Sequence, residues 1–256
     1  MAFGGVAALQ DLTFEVDQGE TVAVIGPNGA GKTTLLNALC GLVSATSDTL
    51  QMGGRDLTGM QARARAQLGL ARSYQNPPLL EKASVLENLM CGGHLQLGYG
   101  MLDELFRPWR VRALEREFRA RCEETLEFIG IAEHRLEEVS GMPHGLRKLV
   151  DIGRAIVSRP SLLLLDEPSS GLDSGEQQIV VRVINGLQET GDMSLLVVEH
   201  HMEVVREVAD RVIGMQAGTV LKLGTPTEVL DSEEFREALI GAHRTDGESE
   251  GEVANG

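Results

Sequence analysis

The sequence predicts an α/β fold in which helices cover both faces of a mostly parallel β-sheet. Residues 22–25 are an apolar, β-branched run, followed by a glycine-rich turn and then by apolar residues at helical spacing over 33–40. After residue 147, helical patterns alternate with short apolar runs. This alternation is typical of parallel sheets, because each connecting helix packs back onto a face of the sheet.

The other elements follow from the same patterns in chain order. Residues 9–16 alternate between apolar and polar and predict an antiparallel strand that enters a hairpin at 17–20, while 46–56 predict a short β pair. Residues 84–147 predict a helical region with a glycine-rich interruption. Helices are then predicted at 148–157, 175–189 and 202–209, and strands at 162–165 and 194–198.

These elements predict three parts of the chain. Residues 1–75 and 148–243 form the α/β core with an antiparallel β subdomain, and residues 76–147 form an inserted helical subdomain. Residues 245–256 carry four carboxylates and no basic residue, which predicts a disordered acidic tail at 244–256.

Composition narrows the class of protein. The 256 residues, 42% of them apolar, suffice for one large core with an inserted subdomain. No window approaches the roughly 18 apolar residues of a membrane span, and no signal peptide is recognisable, so we expect a cytoplasmic protein. Three cysteines without C-x-x-C spacing indicate neither a disulfide framework nor a zinc site. The net charge of −15 disfavours nucleic-acid binding, which relies on clustered Lys and Arg.

A phosphate-binding loop follows the first buried strand. Gly26 and Gly31 can adopt backbone angles closed to other residues, so that N–H groups and a helix N-terminus face an anion. Lys32 supplies a charge for the β- and γ-phosphates, and Thr33 supplies a hydroxyl for Mg²⁺. The pattern predicts a nucleotide with Mg²⁺, bound by Gly26, Pro27, Asn28, Gly29, Ala30, Gly31, Lys32, Thr33 and Thr34.

Two adjacent carboxylates follow a second apolar strand. Asp166 and Glu167 come directly after four leucines at 162–165. At the end of a strand beside a phosphate loop, Asp166 is suited to hold Mg²⁺ and Glu167 to act as general base on the attacking water.

Together these motifs resemble the ATP-binding subunit of ABC transporters, from about residue 3 to about residue 241. The resemblance implies a RecA-like P-loop fold. It identifies residues 26–33 as Walker A and 162–167 as Walker B. It further implies that Gln75 contacts Mg²⁺ and the attacking water, that Ser169, Ser170, Gly171, Leu172 and Asp173 form the D-loop, and that His200 contacts the γ-phosphate.

The signature motif of that family is placed by its spacing to Asp151 and Arg154. This register assigns it to Met142, Pro143, His144, Gly145 and Leu146, and makes Ser140-Gly141 a decoy. In the family, the signature of one subunit covers the γ-phosphate held by another. Pro143 stands where a serine is usual, so one hydroxyl contact is missing.

The proline-bearing signature, the long insertion at 95–121 and the Glu199-His200 pair resemble the branched-chain amino-acid branch of ABC importers. That resemblance makes Phe3 the ring that stacks on adenine. His201 stands where Asp commonly follows the switch histidine, and only two residues precede Phe3, where the family carries a strand.

The resemblance implies a subunit that dimerises around ATP, hydrolyses it and drives import. Its expected partners are two transmembrane permease subunits, a second ATP-binding subunit and, indirectly, an extracellular solute-binding protein, with the chain peripheral on the inner face of the membrane. No nucleic acid is expected. The alternatives are a soluble ABC ATPase acting on nucleic acid or ribosomes, and a P-loop kinase or GTPase, which the Leu-rich strand before Asp166 and Glu167 argues against.

Overall fold

A central six-stranded sheet organises the protein. We describe it from a computed structural model covering residues 2–3, 6–7, 9–44, 49–93 and 107–239. The strand order is β10-β9-β3-β8-β7-β6, and every neighbouring pair is parallel except β9 and β10. The bounds are β3 Thr21–Ile25, β6 Leu70–Arg72, β7 Leu162–Asp166, β8 Ser194–Val198, β9 Arg211–Gln216 and β10 Thr219–Gly224.

Two small antiparallel pairs lie outside this sheet. Strand β1 (Ala2–Phe3) pairs with β2 (Val6–Ala7), and β4 (Gln51–Met52) pairs with β5 (Arg55–Asp56). The second pair confirms the hairpin predicted within residues 46–56.

Helices cover both faces of the sheet. They are α1 Lys32–Cys40, α2 Ala62–Gln67, α3 Val85–Gly92, α4 Pro108–Phe128, α5 His144–Ile156, α6 Ser174–Thr190, α7 Met202–Val208 and α8 Pro226–Leu230, with a further helix at 233–239. Short 3₁₀ turns occupy Ala132–His134 and Val139–Gly141. Among the described residues, no helix is both long enough and apolar enough to cross a bilayer.

The largest apolar cluster joins the inserted helices to one face of the sheet. It contains residues of α3, α4, α5 and α6 together with Leu163, Leu165, Leu195 and Val197. A second cluster holds α1 against the opposite side of the same strands, through Leu35, Leu36, Leu164 and Leu196. This arrangement confirms the predicted α/β architecture and shows why β3, β7 and β8 are apolar except for one polar residue at an end of each: both of their faces are buried.

The strand predicted at 9–16 is wrong, because these residues form no regular strand. Leu12, Phe14 and Val16 are half-buried against the core, whereas Thr13 and Glu15 are exposed, so the alternation itself is correct. A strand also needs a hydrogen-bonded neighbour, and no described strand pairs with this segment. The predicted tail at 244–256 lies outside the described residues.

The register of the parallel strands brings three loops together at one edge of the sheet. Val24 of β3 lies opposite Val198 of β8, and Asp166 of β7 lies opposite the same Val198. The phosphate loop, the residues after β7 and the residues after β8 therefore leave the sheet side by side. Ligands of open α/β sheets bind at this carboxyl edge.

Candidate nucleotide site

The phosphate loop connects β3 to α1 and is held close to β9. A Cβ atom added at Gly26 would lie 2.3 Å from the Met215 carbonyl oxygen, so only glycine fits there. Gly31 has φ +98° and caps α1, which places the helix N-terminus behind the loop. Gly29, in contrast, has open space around it. The loop therefore rests on the sheet at one end and is open to a ligand at its tip.

Lys32 is a buried cation, 6% exposed, at the base of this loop. Its ammonium donates to the carbonyl oxygens of Gly26 at 2.7 Å and Pro27 at 3.0 Å. Burial lowers the pKa of Lys32, and the nearby charges of Glu167 and Asp166 oppose that shift. Among the described residues no carboxylate lies within salt-bridge distance of it. A buried ammonium that lacks a counter-ion suits a phosphate ligand.

Three predicted catalytic residues meet at Glu167. The Gln75 amide nitrogen donates to Glu167 Oε2 at 2.6 Å, and His200 Nε2 lies 2.6 Å from Glu167 Oε1. They come from the loop after β6, the end of β7 and the end of β8, and 92 residues separate Gln75 from Glu167. Both carboxylate oxygens of the expected general base are thus oriented by the other two residues.

The backbone at Glu167 is in the left-handed region, with φ +49°. A non-glycine residue in this region is strained and persists where its surroundings hold it. The Glu167 N–H donates to the Val198 carbonyl at 2.9 Å, and the Glu167 carbonyl accepts from Lys148 Nζ at 2.6 Å. Lys148 lies on α5, is 3% exposed, and has its pKa lowered by burial. Helix α5, which we call the signature helix, therefore directly holds residues 166–169, which we call the catalytic loop.

The residues expected to hold Mg²⁺ offer oxygen donors of the kind that this ion prefers. Asp166 is 6% exposed, and one of its oxygens, Oδ2, accepts from Arg72 Nη2 at 2.6 Å. Its other oxygen, the exposed Thr33 hydroxyl and the Gln75 side-chain oxygen remain for a metal. Arg72 also donates to Asn37 Oδ1 on α1 at 2.6 Å. The donor types are those that Mg²⁺ prefers, and the magnesium site itself stays a prediction.

The signature segment begins α5. Pro143 is the N-cap residue, and Pro143 and His144 are exposed. The register predicted from the spacing to Arg154 thus places the signature at a helix N-terminus, a position suited to an anion, and it stays a prediction. Ser140 and Gly141 instead belong to a separate 3₁₀ turn.

Gly145, one of the predicted signature residues, packs against its own subunit. Gly145 is buried, and a Cβ atom there would lie 2.4 Å from Glu176 Oε1 of the same chain. A side chain at position 145 would therefore meet α6 of its own subunit first. Leu146 is half-buried beside the main cluster.

The D-loop joins Walker B to α6. Ser170 N–H donates to the Glu167 carbonyl at 3.1 Å, and Gly171 has φ +74°. Leu172 is 8% exposed, and Asp173 caps α6 by accepting from the Glu176 N–H at 2.9 Å. Each of the predicted D-loop residues thus lies between the catalytic carboxylate and the N-terminus of a helix.

The loop around Gln75, residues 74–78, also forms hydrogen bonds with the signature helix; we call it the Q-loop. The buried Asp151 on α5 accepts from the Tyr74 N–H at 2.7 Å and from Arg154 at 2.6 Å, while Arg154 also donates to the Pro78 carbonyl at 2.9 Å. Burial raises the pKa of Asp151, and Arg154 opposes that shift. Movement of the Q-loop would therefore pull on α5.

Sequence reasoning assigned no role to three buried charged residues at this site. Arg72 donates to Asp166, Lys148 donates to the Glu167 carbonyl and Glu199 accepts from the Ser169 N–H, and none of these contacts was predicted. The sequence did contain an indication that Glu199 belongs to the site, because it is a carboxylate directly after an apolar strand. The side chain of Phe3, predicted to stack on adenine, lies outside the described residues.

Comparisons with known proteins agree with this geometry. The family model described as "ABC transporter" matches residues 9–170. The high-affinity branched-chain amino acid transport ATP-binding protein LivG of Salmonella typhimurium is 34% identical over 241 residues, 94% of each chain. The phosphonates import ATP-binding protein PhnC of Nitratidesulfovibrio vulgaris is 34% identical over 236 residues, covering 89% of this chain and 84% of that protein.

A solved structure gives the same result for the fold. The ADP conformation of an ATP-binding cassette of an ABC transporter superposes with a TM-score of 0.79 at 28% identity, covering 94% of this chain and 95% of that one. With the phosphate loop, the Asp166-Glu167 pair and the Gln75–Glu167–His200 cluster in place, the chain belongs to the ABC transporter family.

Proposed function

We propose that the chain hydrolyses ATP at the site around Glu167, as the ATP-binding subunit of an importer for branched-chain or related amino acids. One observation supports the proposed hydrolysis: Gln75 and His200 each lie 2.6 Å from a different oxygen of the Glu167 carboxylate. A carboxylate fixed in this way can accept a proton from a water molecule lying beside the phosphate loop.

The chain's own residues divide the chemistry between them. The loop N–H groups and Lys32 hold the phosphates and offset the charge that develops on them, while Glu167 and His200 orient the attacking water. Thr33, Asp166 and Gln75 would hold Mg²⁺, which supplies further charge neutralisation on the phosphate oxygens.

The exposed N-terminus of α5 supports assembly with a second ATP-binding subunit. Pro143 and His144 lie at the start of this helix, on the surface of the protein. Positioned against a partner's phosphate loop, this helix start would cover the γ-phosphate. The first consequence of ATP binding would be formation of that dimer.

Import requires partners in the membrane. We propose two permease subunits, contacted through the Q-loop and the inserted helices, a solute-binding protein outside the cell, and a position for this chain on the inner face of the membrane. The Asp151 and Arg154 contacts to the Q-loop supply a path from a permease to the signature helix. Trp109 on α4, 69% exposed, offers apolar surface on the inserted part.

The amino-acid assignment is supported by the extent of the alignment. LivG matches 94% of its own length, whereas PhnC matches at the same identity over 84% of its own length. The agreement with LivG thus extends over more of both chains.

Glu167→Gln tests the proposed hydrolysis. The amide fills the same space but cannot serve as base, so ATP turnover should fall by about 10²-fold or more while ATP still binds. Glu203→Gln, at an exposed glutamate of α7, is the matched control and should keep wild-type turnover. Turnover of the Glu167→Gln variant within threefold of wild type would contradict the proposal.

The dimer is tested at the same helix start. His144→Asp places a negative charge where the partner's phosphate would approach, so it should prevent ATP-dependent dimerisation and leave ATP affinity of the monomer unchanged. Gly141→Asp, in open space outside α5, is the control. If Gly141→Asp abolishes dimerisation and His144→Asp does not, the signature register is wrong.

The transport assignment is tested in proteoliposomes. Adding the permeases and a second cassette should raise the slow turnover of the isolated chain, and uptake should respond to leucine, isoleucine or valine. Full turnover of the chain alone, no association with permeases and salt-dependent binding to DNA would instead favour the nucleic-acid alternative.

A further inference from the structure

Glu199 is a buried carboxylate directly after β8. It is 1% exposed, although an isolated buried charge is among the most costly features a protein can contain. It has no assigned part in ATP hydrolysis. Its environment therefore has to explain both its charge and its position.

Its two oxygens accept hydrogen bonds from two different loops. Oε1 accepts from the Ser169 N–H at 2.9 Å, and Oε2 accepts from the N–H groups of His200 at 2.9 Å and His201 at 3.3 Å. Ser169 lies two residues after Glu167, and His200 carries the ring that contacts Glu167. One carboxylate thus spans the two loops whose side chains must meet.

Further contacts close the same cluster. Ser169 Oγ lies 2.8 Å from His201 Nδ1, and His201 Nδ1 lies 3.4 Å from Glu199 Oε2. Lys148 is the buried cation that interacts with the charge of Glu199, and its ammonium donates to the Glu167 carbonyl. The negative charge is therefore compensated by backbone N–H groups and by Lys148, all of them on elements that hold the catalytic loop.

The cluster also explains how Glu167 keeps its left-handed backbone. Its N–H donates to Val198, its carbonyl accepts from Lys148, and Ser169, two residues later, donates to Glu199. A strained residue at a functional site requires such support, and small displacements there are costly for the reaction.

We propose that Glu199 is a positioning residue that sets the separation of Glu167 and His200 by joining their two loops. This inference deepens the proposed ATP hydrolysis and rests on it. Glu199 itself contacts neither reacting group, so its effect is exerted through Ser169 and His200.

Glu199→Gln is the direct test. The amide has almost the same volume as the carboxylate but keeps only one accepting oxygen. Its NH₂ group faces a backbone N–H, so one of the two loops loses its hydrogen bond. We expect kcat for ATP to fall about tenfold or more, because a misplacement of about 1 Å costs as much as 10²-fold, with KM within threefold. Glu203→Gln, an exposed glutamate three residues from His200, should stay within twofold on both parameters.

A double-variant cycle with His200→Ala separates positioning from general support of the fold. If Glu199 acts through His200, the fold loss of rate caused by Glu199→Gln should be at least threefold smaller in the His200→Ala background than in the wild type. A purely structural role predicts the same factor in both backgrounds. Single-turnover measurements give both rates even where steady-state turnover is slow.

Glu199→Asp serves as the second variant should the amide variant not fold. The shorter carboxylate can still accept from the two N–H groups that follow it but cannot reach Ser169, so kcat should fall with KM within threefold. An unchanged kcat in Glu199→Gln would overturn the inference, and so would an unchanged kcat in Glu199→Asp where that variant has to replace the amide. Equal fold losses of rate with and without His200 would also overturn it. Glu167→Gln in the same assay distinguishes the two failures: if it remains active, the proposed hydrolysis itself fails.

Discussion

Alanine at Gly26 should destabilise the protein far more than alanine at Gly29, three residues along the same loop. At Gly26 the new Cβ would lie 2.3 Å from the Met215 carbonyl oxygen, a backbone atom of β9 that cannot swing aside. Overpacking of this kind costs about 1–3 kcal/mol. The positive φ of +155° adds about 1 kcal/mol, so the expected loss is about 3 kcal/mol.

Gly29 is the matched control. It has φ +77° and nothing within 4 Å of an added Cβ, so its alanine variant carries only the backbone strain of about 1 kcal/mol. The difference between the two variants, about 2 kcal/mol, isolates the contact between the loop and β9. Each kcal/mol lowers the melting temperature of a chain of this size by about 2–4 °C.

Urea unfolding of both variants, followed by circular dichroism, measures this difference directly. The melting temperature of Gly26→Ala should also lie several degrees below that of Gly29→Ala. Equal losses in the two variants, or a larger loss at Gly29, would refute the claim that the phosphate loop rests on the β9 backbone.

Three further predictions concern the charges and the signature helix. Lys32→Ala should raise the dissociation constant for ATP at least tenfold in a titration with a fluorescent analogue, because it removes the buried cation; unchanged affinity would place the phosphates elsewhere. Arg72→Met should lower the free energy of unfolding by about 3 kcal/mol, since it leaves Asp166 buried without its partner, and a loss under about 1 kcal/mol in urea would contradict that pairing. Gly145→Asp should destabilise the isolated chain, and Glu176→Ala should relieve part of that loss; strictly additive effects would show that the two residues do not meet.

Three strands of the central sheet could be predicted because they are buried on both faces. The runs at 22–25, 162–165 and 194–198 are apolar for that reason, and the observed strands agree with them to within one residue at each end. Strand β6 has only three residues, too few for a period to appear, and β10 is half-buried with an irregular register. Neither was predicted, and β9 was not predicted either, although it is buried over four of its six residues.

The segment at 9–16 shows the opposite case. Its alternation reports burial on one side, and the structure agrees, but a strand also requires a hydrogen-bonded neighbour. Whether such a neighbour exists depends on residues far away in the chain, and a local pattern does not describe them.

The sequence by itself determined the phosphate loop, the two carboxylates after the leucine strand and the order of the motifs, because each depends on residue types at fixed local spacing. Only the tertiary structure decided that Gln75 and His200 hold opposite oxygens of Glu167, that Gly145 meets Glu176, and that Arg72, Lys148 and Glu199 bear on the catalytic loop. These contacts join residues far apart in the chain. They depend on strand order and register, which the packing of the whole core sets.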